Sequence, residues 1–295
     1  MADAPSNASL IDYIKALPQY LMPGHLVSRF THAFTRVRAP WIKNRFTTWF
    51  IGHFNVNMDE ALESDPHAYE HFNAFFTREL KPGVRPIVDT PEGIACPVDG
   101  AVSQACPITD GLIFQAKGHD YSLVQLLGGS EERAAPFQGG NFTTIYLSPK
   151  DYHRIHMPVT GTLREMVHVP GRLFSVNPAT TRVIPGLFAR NERVVAIFDT
   201  ELGPMAMVNV GAVNVGSIET VWAGEVTPPA GRVVRSWHYE GDEAITLQRG
   251  EEMGRFNMGS TVILVFGPDV VEWAEAIQPS APVRLGQLLA TVKKK

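Results

Sequence analysis

The chain has 295 residues, 44% of them hydrophobic and 19% charged, with 25 glycines, 22 prolines and a net charge of −4. That composition excludes a disordered chain and is long enough for one large core, while so much glycine and proline argues against an architecture of long helices. The charge is uneven: residues 1–50 carry six Lys/Arg (Lys15, Arg29, Arg36, Arg38, Lys43, Arg45) against Asp3 and Asp12, so the acidic excess belongs to the remainder.

Such a basic, aromatic-bearing end on an acidic body suits an anionic lipid surface, and nucleic acid is not expected because the body would be repelled. No run approaches the ~18 apolar residues of a bilayer span, so any membrane attachment is peripheral. The opening MADAPSNASL has neither a basic leader nor an apolar core of an export signal. With Cys96 and Cys106 as the only cysteines, the expectation is a cytoplasmic, reducing setting without a disulfide.

From Leu10 to about Phe76 the pattern is helical. Leu26, Phe30, Phe34, Val37 and Trp41 recur at three- and four-residue steps, and Pro18, Pro23 and Pro40 divide the stretch. The segment RFTTWFIGHF (45–54) has the composition of a lipid-interface helix, or else of a helical layer packed on a β body. After RELKPGVRPI the texture becomes short apolar or alternating runs cut by Gly, Pro, Asp and Asn. The expected fold class is therefore α+β: an N-terminal helical, membrane-docking region over 1–84, then a β-rich, sandwich-like catalytic body over 85–295.

Three places concentrate reactive groups. Asp99 stands in PVDG, where Asp-Gly between strand-like runs signals a hairpin turn. His153 and His156 lie three apart in YHRIHMP and would share one side of a helical turn. No third Cys or His stands at ligand spacing, so no metal is expected. One of the two histidines could be purely structural, and a histidine oriented by an aspartate beside a hydroxyl is the other standard use.

The third place is Gly259-Ser260, at the mouth of TVILVF (261–266), a run that reads as a buried strand. With Asp99 and His156, Ser260 completes an Asp–His–Ser set, although the G-x-S-x-G elbow of an α/β-hydrolase is missing. A serine after glycine can attack the carbonyl of its own preceding peptide bond, because glycine lets the backbone take strained angles. The shift from amide to ester is uphill, so a base and an irreversible step are needed; elimination of the ester to dehydroalanine and hydrolysis then leave a pyruvoyl group.

Seven blocks in order, FFTREL (75–80), PVDG (97–100), YHRIHMP (152–158), LFSVNP (173–178), FARNERV (188–194), VGAVNVGSIETVWAG (210–224) and MGST (258–261), resemble the membrane-associated bacterial phosphatidylserine decarboxylases. The resemblance spans about Phe75 to Phe266. It implies a proenzyme (zymogen) that cuts itself between Gly259 and Ser260 into chains 1–259 and 260–295, which stay associated. It assigns Asp99, His156 and Ser260 to the self-cleavage triad, His153 to protonation during decarboxylation, and Ser175 to the substrate head group. The implied cofactor is the pyruvoyl made from Ser260, which forms a Schiff base with phosphatidylserine and gives phosphatidylethanolamine and CO2. The implied setting is a homodimer on the cytoplasmic side of the cell membrane. The motif departs from L-G-S-T only in Met258, a residue of similar volume to leucine. A conventional serine hydrolase and a non-catalytic lipid-binding module are the competing readings of the same residues.

Overall fold

A computed structural model describes residues 8–116, 118–213, 217–227, 232–259 and 261–293. Near the N-terminus, Ser9 and Asp12 form a capping box that starts α1 (Leu10–Ala16). A 3₁₀ turn over Leu17–Tyr20 leads past Pro23 into α2 (Gly24–Thr35). Helix α3 (Pro40–Phe54) opens with proline in its first turn, where no N–H is missed, and stops at Asn55 in the left-handed conformation. Residues 55–71 are turns and bends before α4 (Phe72–Phe76), so the helical pattern does not continue unbroken to Phe76. No helix among the described residues is long and apolar enough to cross a membrane.

The rest is strands: β1 (Gly93–Ala95), β2 (Gly100–Pro107), β3 (Leu112–Ala116), β4 (His119–Ser122), β5 (Asn141–Tyr146), β6 (Arg154–His156), β7 (Gly161–Val169), β8 (Arg193–Thr200), β9 (Gly203–Val210), β10 (Ile218–Thr220), β11 (Gly224–Glu225), β12 (Arg235–His238), β13 (Ile245–Leu247), β14 (Glu252–Phe256), β15 (Thr261–Phe266), β16 (Val271–Trp273), β17 (Pro282–Val283) and β18 (Leu288–Val292). Short helices punctuate them: α5 (Leu123–Leu126), α6 (Glu131–Ala134), α7 (Pro178–Val183) and α8 (Leu187–Arg190). The architecture is thus α+β, with N-terminal helices and a β-rich body.

The main sheet runs β12-β7-β8-β9-β15-β5-β2-β17, with β13 also on β7. Strand β15 is at its centre, antiparallel to both β9 and β5, and every residue from Thr261 to Phe266 is buried. Burial on both faces explains why TVILVF is a continuous apolar run instead of an alternating one. A smaller sheet, β11-β10-β14-β6, lies beside it, and β1-β18-β16 forms a third.

The Asp99-Gly100 pair is not the expected hairpin turn. Strand β1 pairs with β18 while β2 pairs with β5 and β17, so the chain passes from one sheet to another there. Gly100 is needed for closeness: a Cβ on it would lie 2.4 Å from the Tyr146 carbonyl oxygen. Cys96 and Cys106, on either side, are both free.

In α3 both readings of segment 45–54 apply, on different faces. Phe46, Phe50 and Phe54 pack with Phe72, Phe75 and Phe76 in an aromatic cluster, whereas Trp49 is half exposed and Trp41 at the start of the helix is more so.

Candidate active site

Strand β14 leads the chain to Gly259, and it runs antiparallel to β6, the strand that carries the second histidine. The two histidines therefore lie on and beside a strand, not on a helical turn. The Phe256 amide donates to the His153 carbonyl at 3.0 Å, which brings the imidazole of His153 to the glycine. A Cβ added at Gly259 would stand 2.6 Å from His153 Nε2, so only glycine fits.

His153 is fully buried, and the Phe76 ring lies 4.1 Å from its own, centroid to centroid. Its Nδ1 faces the Asp151 carbonyl at 2.8 Å, and since a carbonyl only accepts, the proton sits on Nδ1. Nε2 then carries a lone pair, is buried and has no partner among the described residues. Burial, helped by the positive charge of Arg78, pulls the His153 pKa down to about 3, so the ring is neutral. Other buried polar atoms of the described residues also lack a partner, His168 Nδ1 among them, but His153 Nε2 is the one set against Gly259. The preceding residue, Met258, takes φ 118°, a strained conformation for a side-chain-bearing residue, on the order of 1–3 kcal/mol.

Gly259 opens into a pocket of about 220 Å³ lined by Phe50, Phe54, Phe76, Tyr146, Val176 and Ser175, among others. The Ser175 hydroxyl accepts from Asn177 Nδ2 at 2.9 Å, which leaves its own proton to donate. Three of the aromatic rings come from α3 and α4, so the N-terminal helices build this wall.

His156 is oriented by other groups. Its Nδ1 donates to the Gly250 carbonyl at 2.9 Å, its Nε2 accepts from the Tyr152 hydroxyl at 3.1 Å, and burial lowers its pKa. Asp99 is clasped by Arg85, through Nε at 2.9 Å and Nη2 at 2.6 Å, and by the Leu285 amide at 2.8 Å. Arg85 also donates to Glu60 at 2.7 Å. Among the described residues no hydrogen bond joins Asp99 to His156; Asp99 and Tyr152 instead line a second cavity of about 450 Å³, which shares Tyr146 with the glycine pocket. Ser260 lies outside the described residues. The structure thus puts Gly259 and Ser175 on one pocket with His153 buried behind the glycine, whereas Asp99 lines the second cavity and His156 meets that cavity through Tyr152.

Sequence reasoning passed over Arg85, Phe76, Tyr152 and Gln19, all of which touch these groups. Phe76 and Tyr152 stand inside two of the quoted blocks, but their contacts are set by folding, not by any local pattern. No cluster of three or more His, Cys, Asp or Glu among the described residues could hold a metal ion.

A small, largely aromatic pocket that ends on Gly259, with the strained Met258 before it and a bare imidazole nitrogen against it, suits chemistry on a compact group. Comparison with known proteins specifies the class. A family model described as phosphatidylserine decarboxylase matches residues 72–291, and a second, described as PSD, matches 14–55. The phosphatidylserine decarboxylase proenzyme of Pseudomonas entomophila (strain L48) is 61% identical over 278 residues, covering 93% of this chain and 96% of that protein. That of Stutzerimonas stutzeri (strain A1501) is 60% identical over 282 residues, covering 94% of each. That of Shewanella amazonensis (strain ATCC BAA-1098 / SB2B) is 58% identical over 286 residues, covering 96% of this chain and all of that protein. The chain belongs to the phosphatidylserine decarboxylase family.

Proposed function

We propose that the protein is a proenzyme that cuts itself between Gly259 and Ser260 and then decarboxylates phosphatidylserine to phosphatidylethanolamine and CO2. The observation that carries this reading is the buried His153 Nε2, without a partner among the described residues, against Gly259 at the head of β15. A pyruvoyl group derived from Ser260 would begin the chain 260–295 at that spot. The residues present fit it: a pocket of about 220 Å³, a bare nitrogen beside it and no Cβ in the way. When present, it would supply a ketone to engage the substrate amine and an electron sink for the pair left on the substrate carbon when CO2 departs.

This chain's own residues do the remaining work. His153 is neutral with a bare Nε2, so it can accept a hydrogen bond from the substrate ammonium; it gains a proton only with the substrate's carboxylate beside it, and a ring so weakly basic readily gives that proton to the substrate carbon. The Ser175 hydroxyl donates to the head group, and the aromatic wall excludes water. In the cutting step Asp99, His156 and Ser260 are the working set. His156 Nε2 must there exchange the Tyr152 hydroxyl for that of Ser260, and Asp99 supports the pair electrostatically from its clasp with Arg85.

A two-tailed lipid does not leave a bilayer cheaply, because each buried CH2 is worth ~0.8 kcal/mol. The enzyme must go to the lipid. Exposed Leu10, Ile14, Leu21, Leu26, Phe30, Trp41 and Trp49 on the basic N-terminal helices support docking of the region 1–84 on an anionic surface, with 85–295 as the catalytic unit. We place the protein peripherally on the cytoplasmic side of the cell membrane, as a homodimer.

The test is a denaturing gel with mass spectrometry beside a phosphatidylserine decarboxylation assay. Wild-type protein gives two chains, the shorter one lacking a free amino terminus. Ser260→Ala gives one chain and no activity, and His153→Ala is cut but decarboxylates at least ~100-fold more slowly. One intact chain in active material refutes the reading, and equal cutting defects in His153→Ala and His156→Ala refute the division of labour between the two histidines.

A further inference from the structure

Ser175 lies in the irregular segment between β7 and α7, and the segment is tied down from two sides: within the body Asn191 brackets the Phe174 peptide, at 3.0 and 2.8 Å, and Thr180 donates to the Ser175 carbonyl at 2.6 Å, while the N-terminus holds the Ser175 amide. The Ser175 amide donates to Gln19 Oε1 at 2.8 Å across 156 positions of sequence. Around that bond Arg172 donates to the Tyr20 carbonyl at 3.2 Å, the His25 ring meets the Gly171 carbonyl at 2.9 Å, and Tyr20 packs on Phe174 with centroids 5.1 Å apart. The Arg190 guanidinium covers both of those rings, at 5.3 and 5.2 Å. Gly24 sits so close to Leu173 that a Cβ there would lie 3.2 Å from the Leu173 Cβ. Just outside this contact, Arg182 forms a two-pronged bond to Asp12 that fixes α1 beside α7.

We propose that Gln19 is a positioning residue for the substrate pocket: it holds the Ser175 peptide from the N-terminal segment and thereby aims the Ser175 hydroxyl at the bound head group. This rests on the decarboxylase reading and adds to it a route by which docking reaches the site. Asn177 fixes the Ser175 oxygen from one side and Gln19 fixes the backbone from the other, so the direction of the remaining donor is set at both ends. Leu17 and Leu21, two positions to either side of Gln19, are exposed, Leu21 by 90%. A lipid surface that takes up those leucines holds Gln19 in register with Ser175. Substrate capture then depends on the order of a segment that does not itself line the reaction pocket.

The experiment compares wild type, Gln19→Leu, Gln19→Asn and Gln19→Glu on phosphatidylserine in non-ionic detergent micelles, with hydrogen–deuterium exchange of the peptide covering 171–177. Leucine keeps the size and loses the acceptor, asparagine falls one methylene short, and glutamate keeps an acceptor oxygen. The expected result is a KM raised about five-fold by leucine and asparagine, the loss of one neutral hydrogen bond. With it, kcat and the extent of self-cutting stay at wild-type values, exchange at 171–177 is faster, and glutamate restores both. An unchanged KM, or a fall in kcat and cutting that accompanies the KM change, overturns the proposal. Wild-type material that makes no ethanolamine lipid would refute the decarboxylase reading instead, and equal exchange at 171–177 in wild type and Gln19→Leu would overturn the role of Gln19 on its own.

Discussion

Replacement of Gly259 by alanine tests the geometry of the cutting site most directly. The new methyl group would stand 2.6 Å from His153 Nε2 and 3.4 Å from both His153 Cδ2 and the Leu147 carbonyl oxygen. Ordinary contact begins at 3.4 Å, so the gap to Nε2 must open by about 0.8 Å. His153 has nowhere to go: Phe76 lies against its ring and the Asp151 carbonyl holds Nδ1. The backbone at 258–259 must move instead, at an overpacking cost of ~1–3 kcal/mol. Strain of that kind accelerates cutting only if attack relieves it. Here it persists, because the clash is at the Gly259 Cα and attack occurs at the adjoining carbonyl carbon. The net expectation is cutting slower by about 5-fold to about 100-fold. The assay is cell-free synthesis, arrest of translation and a gel time course of the two fragments. Gly52→Ala is the control, since a methyl group there meets nothing within 4 Å. Cutting of Gly259→Ala at the wild-type rate would refute the contact between His153 and the scissile peptide.

Two stability predictions accompany it, both measured as urea midpoints on the uncut Ser260→Ala background. His153 has a folded pKa of about 3 against 6.5 for a free histidine, so its contribution is fully present above pH 6.5 and erodes as the pH falls toward 3. Between those limits the slope is up to about 1.4 kcal/mol per pH unit, and His153→Phe should flatten the curve by that amount; coincident slopes would refute a buried neutral imidazole. Arg85→Gln strands the buried Asp99 carboxylate with only the Leu285 amide and should cost roughly 3 kcal/mol. Added Asp99→Asn should recover part of the loss, and no recovery would mean that the pair is not what holds this corner.

Legibility followed the range of the interactions. The strand β15 and the proline-divided helices could be read because burial on both faces and three- and four-residue spacing are local patterns. Asp99-Gly100 could not, since the same dipeptide serves a tight turn and a close pass between sheets, and only the pairing of β1 with β18 decides between them. The helical character of α3 was visible, but which face meets Phe72 and Phe76 and which faces outward depends on α4, eighteen positions beyond its end. Within the site, Asp99, His153, His156 and Ser175 were marked by residue type and block order. Arg85, Tyr152 and Gln19 were not, because an arginine, a tyrosine and a glutamine acquire their roles only from partners that the fold delivers.

The position of β15 has a consequence for the life of the molecule. A chain severed before Thr261 would be two polypeptides woven through two common sheets, with β15 between β5 and β9, β17 on β2, and β18 between β1 and β16. Losing that weave would turn refolding from a solitary event into an encounter between strangers whose yield falls on dilution. Such a protein would be assembled most readily once, as a single thread, and remade from its own parts only at high concentration.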